Sequence, residues 1–360
     1  MTDIVFDNII FSLQKTGGIS SVWKELIDQT LQCQSFHCQF LEYANGRENL
    51  SRKELHINED EILNLQDKKN RFERYRNPSV AKNTDFIFHS SYYRTCKNKH
   101  ATNVTTVHDF VYEYYRTGLP KMIHHQQKKR AVLNSEAIIC ISNNTKTDLL
   151  HFFPQVDEKK VHVIYNGVSE VFTPVENRII PDFIKVFGDY VLYIGIRKDP
   201  HKNFMNLVKA LQLQSTFKLV LIGGGPLVEA ETNHYDKYIK GRYTHLSNVS
   251  NEQLNLLYNF AFALVYPSVY EGFGIPILES QRAGCPVIAT NRSSISEVAG
   301  EAAILTESGS TEDIVIGLEK LKESLYRKQL IENGLNNAGR FSWNRMVSEV
   351  LQLYNILLSK

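Results

Sequence analysis

The chain has 360 residues, 42% of them apolar, which suits two globular domains that each have a core. Its formal net charge of +2 is too small to indicate a polyanionic partner from bulk electrostatics. The five cysteines are scattered, no Cys-x-x-Cys occurs and no apolar run nears the ~20 residues of a membrane span, which argues against a disulfide framework, a zinc cluster and an integral membrane protein.

The first candidate site is a glycine loop near the start of the chain. Gly17 and Gly18 join a strand-like run to a helical pattern that includes Trp23 and Leu26, with Ser20 as a candidate N-cap. A glycine loop before a helix N-terminus can receive a phosphate or a sugar, because backbone N–H groups point at the ligand there. Gly-Gly pairs also make ordinary turns, so this pattern alone is weak.

Apolar, strand-like runs alternate with helical patterns along the whole chain. The runs are 86–89, 104–107, 137–141, 190–194, 218–222 and 263–266. Continuous apolar strands separated by helices are typical of parallel sheets that are covered on both faces. The sequence therefore predicts an α/β fold with two Rossmann-like halves.

A block of positive charge lies between Lys68 and Arg130, with 14 Lys and Arg against four Asp and Glu, a local net charge of +10. Such a block can face anionic lipid, a phosphorylated acceptor or nucleic acid. A solvated surface balanced by acidic residues elsewhere in space is an equally good interpretation. We expect a cytoplasmic protein without a signal peptide, peripheral on the inner face of an anionic membrane through residues 68–130, and no nucleic-acid partner.

His108 follows the strand that ends at Val107. Open α/β sheets bind their ligands at the carboxyl ends of the strands, so this position favours a functional histidine. An ordinary loop histidine, or one that caps a helix, is the alternative. His89 follows a similar strand and is a weaker candidate.

Two cations follow the strand at 190–194. Arg197 can fork onto phosphate oxygens, and Lys202 supplies a point charge. Two cations near a helix N-terminus would stabilise a departing diphosphate without a metal ion. Lys198 is an alternative to either of them, although an exposed surface lysine is the simpler interpretation.

Several motifs are absent from the sequence. The run Gly223-Gly224-Gly225-Pro226 is not a complete Gly-x-Gly-x-x-Gly fingerprint, which argues against an NAD site. No Asp-x-Asp, Gly-x-Ser-x-Gly or His-Glu-x-x-His occurs. We therefore expect no catalytic metal, no cofactor and no hydrolase chemistry.

The most informative stretch is Glu-Gly-Phe-Gly-Ile-Pro-Ile-Leu-Glu at 271–279, which follows a buried strand. Pro276 suits the first position of a helix, and Gly272 and Gly274 let backbone approach a ligand closely. The N–H groups of residues 275–278 would face that ligand at the positive end of the helix. Such a site suits a diphosphate.

Glu271 and Glu279 would flank this site and accept hydrogen bonds from sugar hydroxyls. A solvent-exposed Glu pair around an ordinary turn is the alternative. The stretch resembles the Glu-x7-Glu signature of the retaining, GT-B-fold glycosyltransferases of family 4, and the match continues over 280–290 and 293–303. The Gly-Phe-Gly-Ile-Pro insert and the long continuation favour a functional site over the exposed pair.

The resemblance implies specific roles. It places Glu271 and His108 at the transferred sugar, gives Glu279 the nucleotide ribose, and has counterparts for Arg197 and Lys202, so these two cations, Glu271 and His108 are the expected catalytic residues. The expected donor-binding residues are Gly17, Gly18, Gly224, Asn248, Val249, Gly272, Phe273, Gly274, Ile275 and Glu279.

The resemblance also implies a GT-B architecture, with two Rossmann-like domains whose parallel sheets face a deep interdomain cleft. We expect an acceptor domain at 1–172, a nucleotide-sugar domain at 173–342 and a terminal helix at 343–360 that packs back towards the first domain.

The expected function is metal-independent transfer of a hexosyl unit, with retention, from a nucleotide-diphosphate sugar to a glycan hydroxyl. GDP-mannose is slightly favoured as the donor, and a lipid-linked oligosaccharide of bacterial surface polysaccharide synthesis as the acceptor. An epimerase or phosphorylase on the same fold, or a non-catalytic partner subunit, is the alternative.

Overall fold

The computed structural model describes residues 2–66, 73–176 and 179–359. Residues 68–72 of the basic block lie outside these ranges. The chain divides into two compact units: the first is Met1–Gly167 with Ser342–Lys360, and the second is Val168–Phe341. The domain bounds expected from the sequence, at 172 and 342, stay a prediction.

The first unit contains a sheet of seven parallel strands in the order β3-β2-β1-β4-β5-β6-β7. The strands are β1 Thr2–Asp7, β2 Phe36–Tyr43, β3 Ile62–Gln66, β4 Phe86–Ser90, β5 Ala101–Val107, β6 Ala137–Cys140 and β7 Val161–Val163. The helices between them are α1 Ile9–Leu13, α2 Gly18–Leu31, α3 Leu50–Lys53, α4 Val111–Tyr115, α5 Gly118–Leu133 and α6 Asn143–Phe152. Every residue of β4 and β6 is buried, as expected for strands covered on both faces.

The second unit contains a sheet of six parallel strands in the order β10-β9-β8-β11-β12-β13. The strands are β8 Tyr190–Ile194, β9 Lys218–Ile222, β10 Tyr243–Leu246, β11 Ala263–Tyr266, β12 Val287–Thr290 and β13 Ile304–Thr306. The helices are α7 Asp182–Lys185, α8 Phe204–Leu213, α9 Glu229–Ile239, α10 Asn251–Phe260, α11 Ile275–Arg282, α12 Ser294–Ala299, α13 Thr311–Lys320 and α14 Ser324–Ala338.

The last helix, α15 Trp343–Leu358, belongs to the first unit and packs against α2 and β4. Ser342 caps it by accepting a hydrogen bond from the N–H of Arg345. The helix buries an apolar face, and its Tyr354 hydroxyl contacts Nδ1 of His89 at 2.5 Å. His89, the weaker histidine candidate, is therefore held inside the fold.

Each sheet has one point where the chain reverses its direction of winding. The first sheet grows outward from β1 to β2 and β3, then resumes on the other side of β1 with β4. The second sheet does the same at β8 and β11. Open parallel sheets bind ligands outside the carboxyl ends of the strands at such points. The two parallel sheets confirm the predicted α/β class.

Candidate active site

Lys202 and Glu271 meet near β8 and β11, where the winding of the second sheet reverses; we call this position its switch point. Lys202 ends a short 3-10 helix after β8, and Glu271 lies in the loop after β11. The Lys202 Nζ donates to Glu271 Oε1 at 2.6 Å. The Lys202 and Glu271 side chains are 16% and 13% exposed. The pair is thus close, charged and still within reach of solvent.

Two serines hold the loop that carries Glu271. The Glu271 N–H donates to Ser293 Oγ at 2.9 Å. The Ser294 hydroxyl lies within hydrogen-bond distance of the Glu271 carbonyl at 2.8 Å and the Phe273 carbonyl at 3.1 Å, with Gly272 between them. These contacts fix the loop backbone on both sides of Gly272. The serines fall inside the stretch that resembles family 4, but the sequence assigned them no role.

Phe273 is buried, with its ring edge-on to Phe341 at a centroid distance of 5.9 Å. Its side chain is thus part of the core of the second unit, so a donor contact at this position would involve the backbone. Gly274, the next residue, has a φ of 112°, a conformation that favours glycine. The glycine expected at this position is therefore required by the turn itself.

The start of α11 differs from the prediction. The helix begins at Ile275, so Pro276 is its second residue rather than its first. Pro276 has no N–H, and the Ile277 N–H donates to the Gly274 carbonyl at 3.0 Å. The expectation that the N–H groups of residues 275–278 all face a ligand was therefore wrong, because one does not exist and another is used within the turn.

Glu279 lies on α11 and is held by Tyr258 of α10. The Tyr258 hydroxyl donates to Glu279 Oε2 at 2.9 Å. Burial raises the pKa of the Glu279 carboxyl from 4.5 to about 7, although the hydrogen bond from Tyr258 opposes the shift. Glu279 thus changes its charge near neutral pH.

Arg197 lies on the loop after β8, but its guanidinium is occupied by the protein. It donates to Glu231 Oε1 at 3.1 Å and to the carbonyls of the glycine turn 223–225. Its side chain is 1% exposed. Gly224 has a φ of 72°, and a Cβ there would lie 2.7 Å from Arg197 Nη1. The two loops are therefore tied together.

Asn248 and Val249 precede α10. Asn248 is exposed and has a φ of 56°, a left-handed conformation that asparagine tolerates better than most residues. Ser250 then caps α10 by accepting a hydrogen bond from the N–H of Gln253. The tight entry into the helix is consistent with a segment that recognises ligands through its backbone, and the donor role of these residues stays a prediction.

His108 follows β5 in the first unit and is 9% exposed. Burial lowers the pKa of His108 from 6.5 to about 4, with Asp109 opposing and Lys128 adding to the shift. Lys128 is itself buried and donates to the Asp109 carbonyl at 2.8 Å. His108 is therefore neutral at physiological pH.

The first glycine loop follows the short helix α1. Gly17 is the N-cap of α2, and Gly18 is its first residue. The prediction that Ser20 caps this helix was wrong: Ser20 lies inside α2 and its hydroxyl accepts from Gln14 Nε2 at 2.7 Å and Asn49 Nδ2 at 3.0 Å. Those two bonds brace the chain around the loop.

The structure brings together the predicted residues of the second unit in two groups, Lys202 with Glu271 and Arg197 with Gly224.

Within residues 2–66, 73–176 and 179–359, no three His, Cys, Asp or Glu side chains form a cluster that could hold a metal ion. In the same ranges, no helix is long and apolar enough to cross a bilayer.

Comparison with protein families matches two regions of the chain. Residues 184–337 match the family described as glycosyl transferases group 1, and residues 59–171 match glycosyltransferase family 4. The chain is 28% identical over 294 residues to the O-antigen chain mannosyltransferase B of Escherichia coli, covering 76% of this chain and 75% of that protein. It is 29% identical to the O-antigen chain mannosyltransferase RfbU of Salmonella typhimurium, where the match covers 62% of each chain.

Solved structures share the fold. A sucrose-phosphate synthase from Thermosynechococcus elongatus aligns over both complete chains with a TM-score of 0.80 at 19% identity. The HepE protein of Anabaena, solved with UDP-glucose, aligns over 98% of this chain and 100% of its own with a TM-score of 0.71 at 14% identity. The fold is that of the GT-B glycosyltransferases. With the two family matches, which together take up most of the sequence, these findings show that the chain is a glycosyltransferase and belongs to the group 1 glycosyltransferases of family 4.

Proposed function

We propose that this glycosyltransferase moves a hexosyl unit from a nucleotide-diphosphate sugar to a hydroxyl of a glycan acceptor, with retention of configuration and without a metal ion. The relatives named O-antigen mannosyltransferases support a role in bacterial surface polysaccharide synthesis. Because those relatives are named for mannosyl transfer, we propose GDP-mannose as the donor, with a lipid-linked oligosaccharide as the acceptor. The named structure with UDP-glucose supports a nucleotide sugar as the donor class.

The observation that carries the proposal is the Lys202–Glu271 pair at the β8–β11 switch point. A cation and a carboxylate 2.6 Å apart neutralise each other in the free protein. A nucleotide-diphosphate sugar supplies a new partner for each: its phosphate oxygens attract Lys202, and its sugar hydroxyls donate to Glu271. Because the pair is partly exposed, a ligand can make this exchange without stranding a buried charge.

In the proposed reaction, the bond between the anomeric carbon and the diphosphate oxygen breaks first. Lys202 stabilises the negative charge that develops on the departing diphosphate. The acceptor oxygen bonds to the same face of the anomeric carbon, and its proton passes to the departing phosphate oxygen. Glu271 orients the sugar, Glu279 accepts from the ribose, and neutral His108 hydrogen-bonds a substrate hydroxyl.

The surface of α5 supports a peripheral position on an anionic membrane, at its cytoplasmic face. Leu119 and Met122 are 66% and 64% exposed on this helix, and together with Tyr75 they line a groove of about 640 Å³. The sequence from 114 to 135 contains Arg and Lys but no Asp or Glu. Apolar side chains beside basic side chains such as the exposed Arg130 are a combination that binds anionic bilayers.

This membrane contact is tested by sedimentation with vesicles of phosphatidylcholine, with and without phosphatidylglycerol. We expect binding only to the anionic vesicles, and loss of that binding in the double variant Leu119→Ser/Met122→Ser. Leu325→Ser is the matched control, because Leu325 is 85% exposed on the second unit. Equal binding to both vesicle types, or an unaffected double variant, would contradict the contact.

The reaction is tested by incubating the protein with GDP-mannose or UDP-glucose, with and without a lipid-diphosphate-linked oligosaccharide. We expect nucleoside diphosphate to be released only when acceptor is present, and to the same extent with EDTA. NMR of the product should show the anomeric configuration of the donor. Turnover of the donor without acceptor would favour an epimerase, and no turnover with any pair would favour a non-catalytic subunit.

A further inference from the structure

A cavity of about 200 Å³ lies beside α1 in the first unit, and we call it the α1 cavity. Its walls come from residues 11–15, at the end of α1 and just after it, and from the 3-10 helix Ala44–Glu48 and the residue that follows it. Because α1 follows β1 and the 3-10 helix follows β2, the cavity lies at the carboxyl ends of two neighbouring strands. This is the edge at which open parallel sheets bind their ligands.

Hydrogen bonds between distant parts of the chain hold the walls of the α1 cavity in place. Asn49 is fully buried, and its side-chain amide donates to the Gln14 carbonyl at 2.8 Å. Asn45 Nδ2 donates to the Ser12 carbonyl at 3.1 Å. These two bonds tie the segment after α1 to the 3-10 helix. The cavity is therefore formed before a ligand arrives, which lowers the cost of ordering it on binding.

Two charged side chains that line the cavity are without a partner. Lys15 and Glu48 are exposed, and within residues 2–66, 73–176 and 179–359 neither side chain makes a hydrogen bond or an ion pair. By contrast, Arg47 of the same 3-10 helix pairs with Glu59 at 2.7 Å. Ser12 Oγ is buried and has no hydrogen-bond partner in the described ranges. The cavity thus offers a cation, a carboxylate and a hydroxyl to a ligand.

These groups select a neutral ligand that is rich in hydroxyls. A phosphate would be repelled by Glu48 and a cation by Lys15, so a full charge of either sign gains little. An apolar chain would cover polar groups without hydrogen-bonding them, which costs free energy. Sugar hydroxyls both donate and accept, so they satisfy an ammonium and a carboxylate together. The cavity is smaller than the ~300–1,000 Å³ of sites for drug-sized ligands, which suits a single sugar ring.

The α1 cavity lies to one side of the sugar expected at His108. His108 follows β5, and β4 lies between β5 and β1 in the sheet. Neighbouring strands are ~4.8 Å apart, so the end of β5 is about 10 Å from the end of β1. That separation is wider than one sugar ring. A sugar in the cavity is therefore a different residue from the one that His108 contacts.

We propose that the α1 cavity is an acceptor subsite, which holds one neutral pyranose of the glycan acceptor through Lys15, Glu48 and Ser12. This inference rests on the proposed transfer to a glycan and adds where an inner sugar of that glycan binds. The subsite would select acceptors by the length and the charge of their glycan. It takes no part in breaking the bond to the diphosphate.

The first test compares acceptors of different length. Lipid-diphosphate-linked mono- and trisaccharides are used with GDP-mannose or UDP-glucose, and kinetics compare the wild type with Lys15→Ala/Glu48→Ala. We expect the KM of the trisaccharide to rise about tenfold, with kcat and the donor KM unchanged, because the lost contacts bind ground and transition state alike. The KM of the monosaccharide acceptor, which does not reach the cavity, should stay the same. An unchanged trisaccharide KM, or an equal rise for both acceptors, would overturn the proposal.

The matched control is Lys53→Ala/Asp60→Ala. It removes the same two charges at exposed positions of the first unit that do not line the cavity, and it should behave as the wild type with both acceptors. Because Lys15 and Glu48 are exposed and unpaired, the test variant should also keep the melting temperature of the wild type. A rise in the trisaccharide KM of the control equal to that of the test variant would refute a role specific to the cavity.

The second test uses the sign of the effect of each single variant. If the cavity held an anionic group of the acceptor on Lys15, Glu48→Ala would remove a repulsion and lower the acceptor KM. If it held a cationic amino sugar on Glu48, Lys15→Ala would lower the KM instead. A neutral sugar predicts a higher trisaccharide KM in both variants. A lower KM in either one would rule out the neutral pyranose.

These results separate the subsite from the function on which it rests. If the wild type transfers sugar to neither acceptor, the proposed function fails and the subsite fails with it. If the wild type transfers sugar and the double variant has the same trisaccharide KM, only the subsite fails.

Discussion

Each unit has a charged pair at the carboxyl ends of its central strands, but the two pairs differ in how deeply they are buried. In the first unit, Arg94 makes two contacts with Asp7 at the end of β1, at 2.6 and 2.8 Å, and both side chains are fully buried. In the second unit, the single contact between Lys202 and Glu271 leaves both side chains partly exposed.

Burial determines what each pair can do. Breaking a buried pair leaves an uncompensated charge in a low-dielectric interior, so its partners cannot be exchanged for those of a ligand at small cost. A partly exposed pair is screened by nearby water, so it loses less than a buried pair when a ligand replaces its contact. The Arg94–Asp7 pair therefore stabilises the carboxyl ends of β1 and β4, whereas the Lys202–Glu271 pair is suited to bind substrate.

The largest expected effect is on the stability of the first unit. Arg94→Met removes the cation but leaves Asp7 buried, and we expect a loss of about 3–5 kcal/mol in the free energy of unfolding. Lys202→Ala should cost less than about 1 kcal/mol. Urea unfolding measures both values, and a similar small loss in the two variants would remove the contrast between the pairs.

Activity should show the reverse order. Lys202→Ala removes the cation proposed to stabilise the departing diphosphate, and kcat/KM should fall by about 10²–10³-fold at an unchanged melting temperature. Lys209→Ala serves as the control, because Lys209 is an exposed lysine of the same unit. Activity of Lys202→Ala within about threefold of the wild type would show that the Lys202–Glu271 pair has no part in transfer.

The third expected effect, on Glu279, depends on pH. The pKa of Glu279 is about 7 in the folded protein against 4.5 for the ordinary carboxyl. A raised folded pKa gives stability that is present below about pH 4.5 and is lost as the pH rises through 7. Glu279→Gln, which cannot ionise, should therefore match the wild type near pH 4.5 and exceed it at pH 8 by up to about 3 kcal/mol. Urea unfolding at the two pH values measures the difference, and an equal difference at both would refute the shifted pKa.

The strands that were named from the sequence differ from the others in the continuity of their apolar pattern rather than in their length. All six apolar runs named from the sequence are strands, from β4 to β11, because continuous burial requires continuous apolar sequence. The strands that were not named include the eight-residue β2, where His37, Gln39 and Glu42 interrupt the apolar run, as well as the short β12 and β13. The entry into α11 was misplaced by one residue, since a proline fits either of the first two positions.

The sequence by itself determined the α/β class, the family and the positions of the candidate carboxylates and cations, because apolar periodicity and motif spacing are properties of neighbouring residues. It could not determine which cation remains within reach of a ligand. Arg197 and Lys202 lie five positions apart on one loop, and only the tertiary structure turns the first onto Glu231 and the glycine turn and the second onto Glu271. Those partners come from β9, α9 and the β11 loop, which are distant in the chain, and a side chain's charge does not encode which of them it will meet.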